Sequence, residues 1–404
     1  MANTLLTADM ITKEALRILV NNLVFTKKMG RELNKEWGTD RKIGDTVRVR
    51  KPPKYTVRTG KSFSAQDVVE EQTYVKIDTM KGVDVEFDSK ELALDLQSFS
   101  DIYLKPAVSR LAHEIDYDCL SLVSQIASAV GAPGSGTLSA KTILQAKATL
   151  DENSTPTDPT RILVVDPRTE VEAVDQLKAL FHSSREIGEQ YRKGSMGTAL
   201  GFDWYMSQNV NRHVVGAFAG TPLVKGAGQT GNEIETDGWT ASTAKVLRKG
   251  DVITFEGVYA VNPANQRSTG QLQQFVVTED VDADASGEAT IKIWPEIIAT
   301  GARATVTAAP ADNAQINILG GATTANKETP LNVAFHRDAF KLVFVELPQP
   351  KGVDMASTIS VPEIGMSISF VRGFDIEDRT FKSRIDVLYG KAVVRPEFAC
   401  RVHI

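Results

Sequence analysis

Between Ala217 and Leu331 the chain changes character. The stretch is rich in Gly, Thr, Ala, Asn and Asp. Five short strand candidates recur in it: DVITFEGVYAV (251–261), LQQFVVTEDV (272–281), ATIKIWPEII (289–298), RATVTAA (303–309) and QINIL (315–319). A short strand cannot bury its apolar face alone. Strands at this close, even spacing predict one small closed β-domain inserted into the chain.

The flanks read differently. DIYLKPAVSRLAHEIDYDCLSLVSQIASAVG (101–131) carries one apolar stripe of Val108, Leu111, Ile115, Cys119, Leu122, Ile126 and Val130. That spacing predicts a single helix, a rod of ~40 Å at ~1.5 Å per residue, with Pro106 in its first turn and Gly131 ending it. SAKTILQAKATLDEN (139–153) reads as helix, RILVVDP as a buried strand, and PRTEVEAVDQLKALF as a helix opened by Pro167. After Val333 long alternating strands return. At the N-terminus the spacing of Ile11, Ala15, Leu16, Leu19, Val20 and Leu23 predicts a helix over Thr7–Lys35, capped by Thr7 or Thr12. Its apolar stripe has no evident partner in the sequence.

The segment VRVRKPPKYTVRTGKSF holds six positive charges, Arg48, Arg50, Lys51, Lys54, Arg58 and Lys61, and no negative one. Val47 and Val49 alternate on one side of it. Tyr74, Val75, Ile77, Val83, Val85 and Phe87 alternate on the other. Two arms around a tip stiffened by Pro52 and Pro53 predict a long hairpin with a basic tip. Asp67, Glu70, Glu71, Asp84, Glu86, Asp88, Glu91 and Asp95 follow it closely. A hairpin of this kind buries too little to fold by itself, so it needs a neighbour.

Net charge is -5 over 404 residues, so no bulk affinity for nucleic acid is expected. Two distant cysteines, Cys119 and Cys400, argue against a disulfide framework. The opening MANTLLTADMITKEALRIL lacks a basic region ahead of an apolar one, so no signal peptide is read, and no apolar run approaches the ~20 residues of a membrane span. Motifs that imitate chemistry fail at key positions. TGKS (59–62) has Tyr55 where a phosphate loop needs glycine. HEIDYD (113–118) has Tyr117 where a zinc helix needs its second histidine. DVDADASGE (280–288) has Ala285 at the turn position of a calcium loop and reads as an acidic turn. The five histidines, His113, His182, His213, His336 and His403, show no ligand spacing. No catalytic, metal or cofactor site is expected, and the chain is not read as an enzyme.

The order of segments resembles the Hong Kong 97 capsid fold of tailed-phage major capsid proteins. LRKGDVITFEGVYAVNP (247–263), QLQQFVVTEDV (271–281) and YGKAVVRPE (389–397) are similar to the coat proteins of short-tailed Salmonella phages, whose core carries an insertion domain. The resemblance implies an α+β, Hong Kong 97-like fold with an inserted small β-barrel. It implies an N-terminal arm (1–40), an extended loop (41–82), a peripheral domain with a spine helix (83–135), a first axial part (136–215), the inserted barrel (216–332), and a second axial part with returning peripheral strands (333–404). The segment 223–245, where that family has a long loop for contacts between capsomers, is short here.

The implied function is a major capsid protein that self-assembles into an icosahedral shell around double-stranded DNA. The alternative is an encapsulin-like shell of a bacterial compartment. The implied partners are further copies, in hexamers and pentamers, with a scaffolding protein and a portal during assembly in the host cytoplasm. DNA is enclosed without sequence-specific binding, and no membrane is involved. Arg48, Arg50, Lys51, Lys54, Arg58 and Lys61, with Glu70 and Glu71, are the expected contact between subunits. Asp9 and Glu14 are the expected contact with scaffold.

Overall fold

The computed structural model describes residues 8–31, 46–57, 60–61, 63, 65, 70–88, 105–177, 197–361, 365–377 and 380–404. They fall into two compact units. The first comprises Met1–Val49, Gln72–Leu120 and Phe340–Val394. The second comprises Arg50–Glu71, Ser121–Ala339 and Arg395–Ile404.

The first unit is a sheet backed by two helices. Its strands are β1 (Thr46–Arg50), β2 (Gln72–Asp88), β16 (Phe340–Val345), β17 (Met355–Val361), β18 (Met366–Asp375) and β19 (Thr380–Val393). They run in the order β1-β2-β19-β18-β17, with β16 also on β19. The expected hairpin is therefore only the outer part of a larger sheet. β2 pairs along most of its length with β19, from Ile77↔Gly390 to Asp88↔Thr380. Alternation sets its register, because a slip by one residue would turn the apolar set outward.

Helix α1 spans Ala8–Asn22 and helix α2 spans Lys105–Leu120. Both depart from expectation. α1 stops at Asn22, and Thr12 is a buried residue inside it rather than its cap. Thr7 and residues 32–35 lie outside the described residues. α1's stripe does have a core: Ile11, Leu16, Leu19 and Leu23 are all buried, and the helix packs on α2, β17 and β18. α2 is ~24 Å long, not ~40 Å. After Leu120 the chain tightens to a 3-10 turn at Ser121–Gln125 and then extends as β3 (Ala129–Val130). The apolar spacing continues through this change because Leu122 and Ile126 remain buried. Burial periodicity alone does not distinguish a helix from a turn that follows it.

Asp116 on α2 is fully buried and explains how the arm is anchored. Its carboxylate accepts the N–H groups of Val24 (3.1 Å), Phe25 (3.3 Å) and Thr26 (2.8 Å). They lie at the start of the 3-10 turn Thr26–Lys28, where backbone donors have no acceptor within the turn itself. Phe25 then meets Phe340 edge-on at 5.3 Å.

The second unit holds a mixed sheet and a barrel. The mixed sheet is built from β3, β4 (Arg161–Val165), β5 (Thr198–Ala199), β6 (Phe202–Met206), β15 (Asn332–His336) and β20 (Ala399–Val402). Its order is β3-β20-β15-β4-β6-β5. Helices α3 (Ala140–Glu152, capped by the Ser139 hydroxyl) and α4 (Pro167–Leu177) belong to the same unit. Ile143, Ala146 and Leu150 of α3 share a core with Leu163, Phe202, Trp204 and Val402.

The barrel comprises β8 (Gly220–Val224), β9 (Gly231–Trp239), β10 (Val252–Val261), β11 (Ser268–Val277), β12 (Ala289–Ile297) and β13 (Ile316–Ile318), in the order β13-β10-β11-β12-β9-β8. The ends meet: Leu223 bridges Gln315, and Val224 donates to the carbonyl of Ala314 at 3.0 Å. Closure removes the open edges. Phe255, Phe275, Ile234, Ile291 and Ile316 fill the interior. Two short strands, β7 (Arg212–Val214) and β14 (Glu328–Pro330), pair with each other, so the chain enters and leaves the barrel side by side.

Four of the five strand candidates form strands. RATVTAA does not; it contributes an isolated bridge between Val306 and Ala260, with Val306 buried in the barrel core. β8 and β9 fall largely in the segment read as a shortened loop. Gly220 and Gly238 allow them to pack there: both have positive φ (106° and 75°), and a Cβ would lie 2.5 Å and 2.4 Å from a facing carbonyl oxygen.

Candidate assembly surfaces

The basic ribbon begins as a strand. Val47 turns inward to join Val75 and Val343, which leaves Arg48 and Arg50 exposed. From Lys51 the pattern stops, because Pro52 and Pro53 have no N–H to donate. The two sides are still joined at the root, where the N–H of Lys51 donates to the carbonyl of Glu71 at 2.8 Å. Arg48, Arg50, Lys54 and Lys61 lie at the surface and Lys51 is half-buried. Arg58 lies outside the described residues, as do Asp67, Glu91 and Asp95.

The acidic partners expected on a neighbour are already engaged at home. Glu70 sits 3.8 Å from Arg50, with both side chains well exposed. Such a pair contributes ~0–1 kcal/mol. Glu71 receives Arg303 Nε at 2.7 Å in a less exposed setting. Asp84 lies 3.5 Å from Arg384. Glu71 and Arg303 also border a cleft of ≈ 480 Å³ in the second unit, walled by Lys51 to Lys54 and by Pro396 and Phe398.

The two arm residues have local roles. Asp9 accepts a hydrogen bond from the Ser357 hydroxyl at 2.6 Å. Glu14 binds Arg17 through both carboxylate oxygens, at 2.9 and 2.6 Å. The outward stripe of α1 is Met10, Lys13, Arg17 and Asn21. The face left for a partner is therefore basic as well as acidic, which the spacing of the apolar residues did not reveal.

The run that imitates a calcium loop resolves into structure, while Thr59 and Ser62 of TGKS lie outside the described residues. Asp280 pairs with Lys245 at 2.9 Å and accepts the N–H of Lys249, Asp282 accepts the N–H of Lys245, and Asp284 accepts those of Ser286 and Glu288. The acidic run thus closes its own turn and pins residues 245–249. The backbone N–H groups on Asp280 and Asp284 hold both carboxyls below the usual range. Burial pushes both free cysteine thiols up to about 12, so neither is a thiolate at neutral pH. Among the described residues no group of three or more His, Cys, Asp or Glu is placed to hold a metal. No helix among them is long and apolar enough to cross a membrane.

A family model described as P22 coat protein, gene protein 5, matches residues 1–401. No curated protein matches the chain. Among solved structures, a chain of Mycobacterium phage Che8 is 13% identical, with 94% of this chain and 90% of that one covered and a TM-score of 0.45. The capsid of Ralstonia phage GP4 is 8% identical, with coverages of 93% and 86% and a TM-score of 0.44. The CUS-3 coat protein I-domain is 22% identical, over 25% of this chain and 96% of that one, with a TM-score of 0.19.

Proposed function

This chain belongs to the P22 coat protein family, and from that premise we propose how its surfaces serve a shell. It is a major capsid protein of a tailed phage, with the Hong Kong 97-like fold, and many copies of it make the virion capsid. A match to a phage coat family over residues 1–401 favours this over the encapsulin-like alternative.

The finer reading is our own. Hexamers and pentamers of the chain close an icosahedral shell in the host cytoplasm, aided by a scaffolding protein and a portal. The shell encloses double-stranded DNA without reading its sequence. The chain acts as a structural subunit rather than an enzyme. Segments 1–40, 41–82, 83–135, 136–215, 216–332 and 333–404 serve as arm, extended loop, peripheral domain, first axial part, inserted barrel and returning strands.

The basic ribbon is the contact between subunits. The observation that carries this is charge left over after local pairing. Glu70 and Glu71 answer Arg50 and Arg303, while Arg48, Lys54 and Lys61 face solvent on a segment that, among the described residues, is anchored in the core by Val47. An acidic patch on an adjacent copy would complete a heterologous contact, which propagates around a ring. Each pair is weak, ~0–1 kcal/mol, but a shell repeats it in every subunit, and weak contacts allow misplaced subunits to leave.

The test reverses charge where no local pair is disturbed, with Arg48→Glu and Lys54→Glu in the full chain. Assembly is followed by sedimentation at physiological salt and monomer stability by thermal melting. Slowed or absent shells with an unchanged melting temperature are expected. Normal shells from the reversed chain would refute the contact. Asp9 and Glu14 on α1 remain our proposed scaffold contact, now alongside Lys13 and Arg17 on the same surface.

A further inference from the structure

The apolar core of the barrel and that of the mixed sheet share no residue. Polar contacts within the second unit hold the one to the other. Arg401 on β20 is 1% exposed. Its guanidinium donates to the carbonyls of Ile126 (2.7 Å), Ser124 (3.0 Å) and Gly250 (2.6 Å). Ser124 and Ile126 lead into β3, whereas Gly250 leads into β10 of the barrel. Asp251, also buried, accepts the N–H groups of Gly216 (3.0 Å) and Arg248 (2.7 Å), and His213 Nε2 on β7 lies 2.7 Å from it.

Two further contacts lie on other strands. Gln274 on β11 accepts the N–H of Ala129 in β3 and donates to its carbonyl, both at 2.7 Å. The side-chain amide thereby stands in for a strand neighbour. Asn262, just past β10, donates to the carbonyl of Glu152 at the end of α3 at 2.8 Å.

We propose that these contacts, centred on Arg401, are a releasable lock that holds the barrel in one orientation and lets it come away as a rigid body with both apolar cores intact. An apolar joint is non-directional and tolerates sliding. Hydrogen bonds require particular distances and angles, so this joint is either engaged or open. On opening, every polar group can turn to water instead of another partner, and Arg401 can extend its head outward on its apolar stem. Beside the guanidinium, both ring nitrogens of His403 lack a partner among the described residues, in a pocket of ≈ 10 Å³ lined by His213 and Asp251 and by the apolar side chains of Pro133, Val252, Ile318 and Leu319. A buried imidazole left unsatisfied weakens the closed joint and favours release. β7 and β14 keep the barrel tethered by a two-stranded lead. This inference rests on contacts of the second unit alone and does not depend on the role of the ribbon.

The test is amide hydrogen exchange on full-length Arg401→Met, which keeps an apolar stem and removes every side-chain donor. The joint amide is Ala129, whose N–H bonds Gln274 across the joint; barrel amides are Ile253 and Phe275. Ala129 should exchange on the order of tenfold faster or more, while barrel amides change by less than about twofold. An unchanged Ala129, or Ala129 and barrel amides accelerating together, would overturn the lock. Should Arg401→Met not fold, Asn262→Ala, distant in sequence from the buried guanidinium and not bonded to Ala129, is read in the same way. There too, a faster Ala129 over an unchanged barrel supports the lock, and any other pattern rejects it.

Discussion

Asp116 shows how much one buried carboxylate can organise. It takes three backbone N–H groups from the segment after α1, and two of their residues, Phe25 and Thr26, are fully buried. Removing the acceptor leaves those donors unsatisfied, at ~1–3 kcal/mol each for buried groups. Asp116→Ala should lower stability by about 3 kcal/mol, with Asp116→Asn recovering part of it, as read from urea midpoints. An Ala variant with the parent's midpoint would show that the arm is anchored elsewhere. His403 makes a prediction in pH. Burial, then Arg401 and His213, lowers its pKa to about 3, against ~6.5 for a free histidine. The folded state keeps the ring neutral across that window, while the unfolded chain takes a proton. Its share of stability is therefore complete above about pH 6.5 and is lost as pH falls toward 3. His403→Phe should flatten stability against pH between about 4 and 6 by up to ~1.4 kcal/mol per pH unit. Equal slopes for the two proteins would mean that the imidazole is not held neutral.

Among the elements, α1 is the one whose role changes most between sequence and structure. An apolar stripe without an evident partner looks like a docking face, yet Leu19 is completely buried within its own unit. Leu19→Ala should cost about 2–5 kcal/mol, whereas Met10→Ala, half-exposed on the outer face, should cost less than about 0.5 kcal/mol. Similar losses at both positions, measured by thermal melting, would show that α1 is not an integral helix. For the same reason, deletion of its first turns should impair folding of the monomer before it impairs closure of shells. β8 and β9 have no strand signature in the sequence because the segment they share is rich in glycine and polar residues. The side chain of Gln229 organises that loop, bonding the carbonyls of Lys225 and Glu235 and the N–H of Glu235. Such turn-by-turn pairing leaves no periodic mark in the sequence.

At the scale of the whole molecule, the barrel has its own apolar core, closed strand order and paired entry and exit strands. A fragment of residues 212–330 should therefore melt cooperatively and give dispersed amide resonances; a random-coil spectrum under native conditions would show that it needs the rest of the chain. Local patterns were enough to reveal this much of the molecule. Alternation in 252–261, 272–277 and 289–297 determined strands, the spacing of Ile143, Ala146 and Leu150 determined α3, and segment order with a few motifs determined the family. Each rests on neighbours in sequence, where side-chain period follows directly from backbone geometry. Tertiary structure alone decided where α2 ends, that the arm's stripe is core, that Glu70 and Glu71 pair within the chain, and that Arg401 joins Ser124, Ile126 and Gly250. Those outcomes depend on which distant groups compete for the same buried space and the same hydrogen bonds. A carboxylate or guanidinium reads the same in sequence whether it faces water or three buried carbonyls, and only the folded chain supplies those partners.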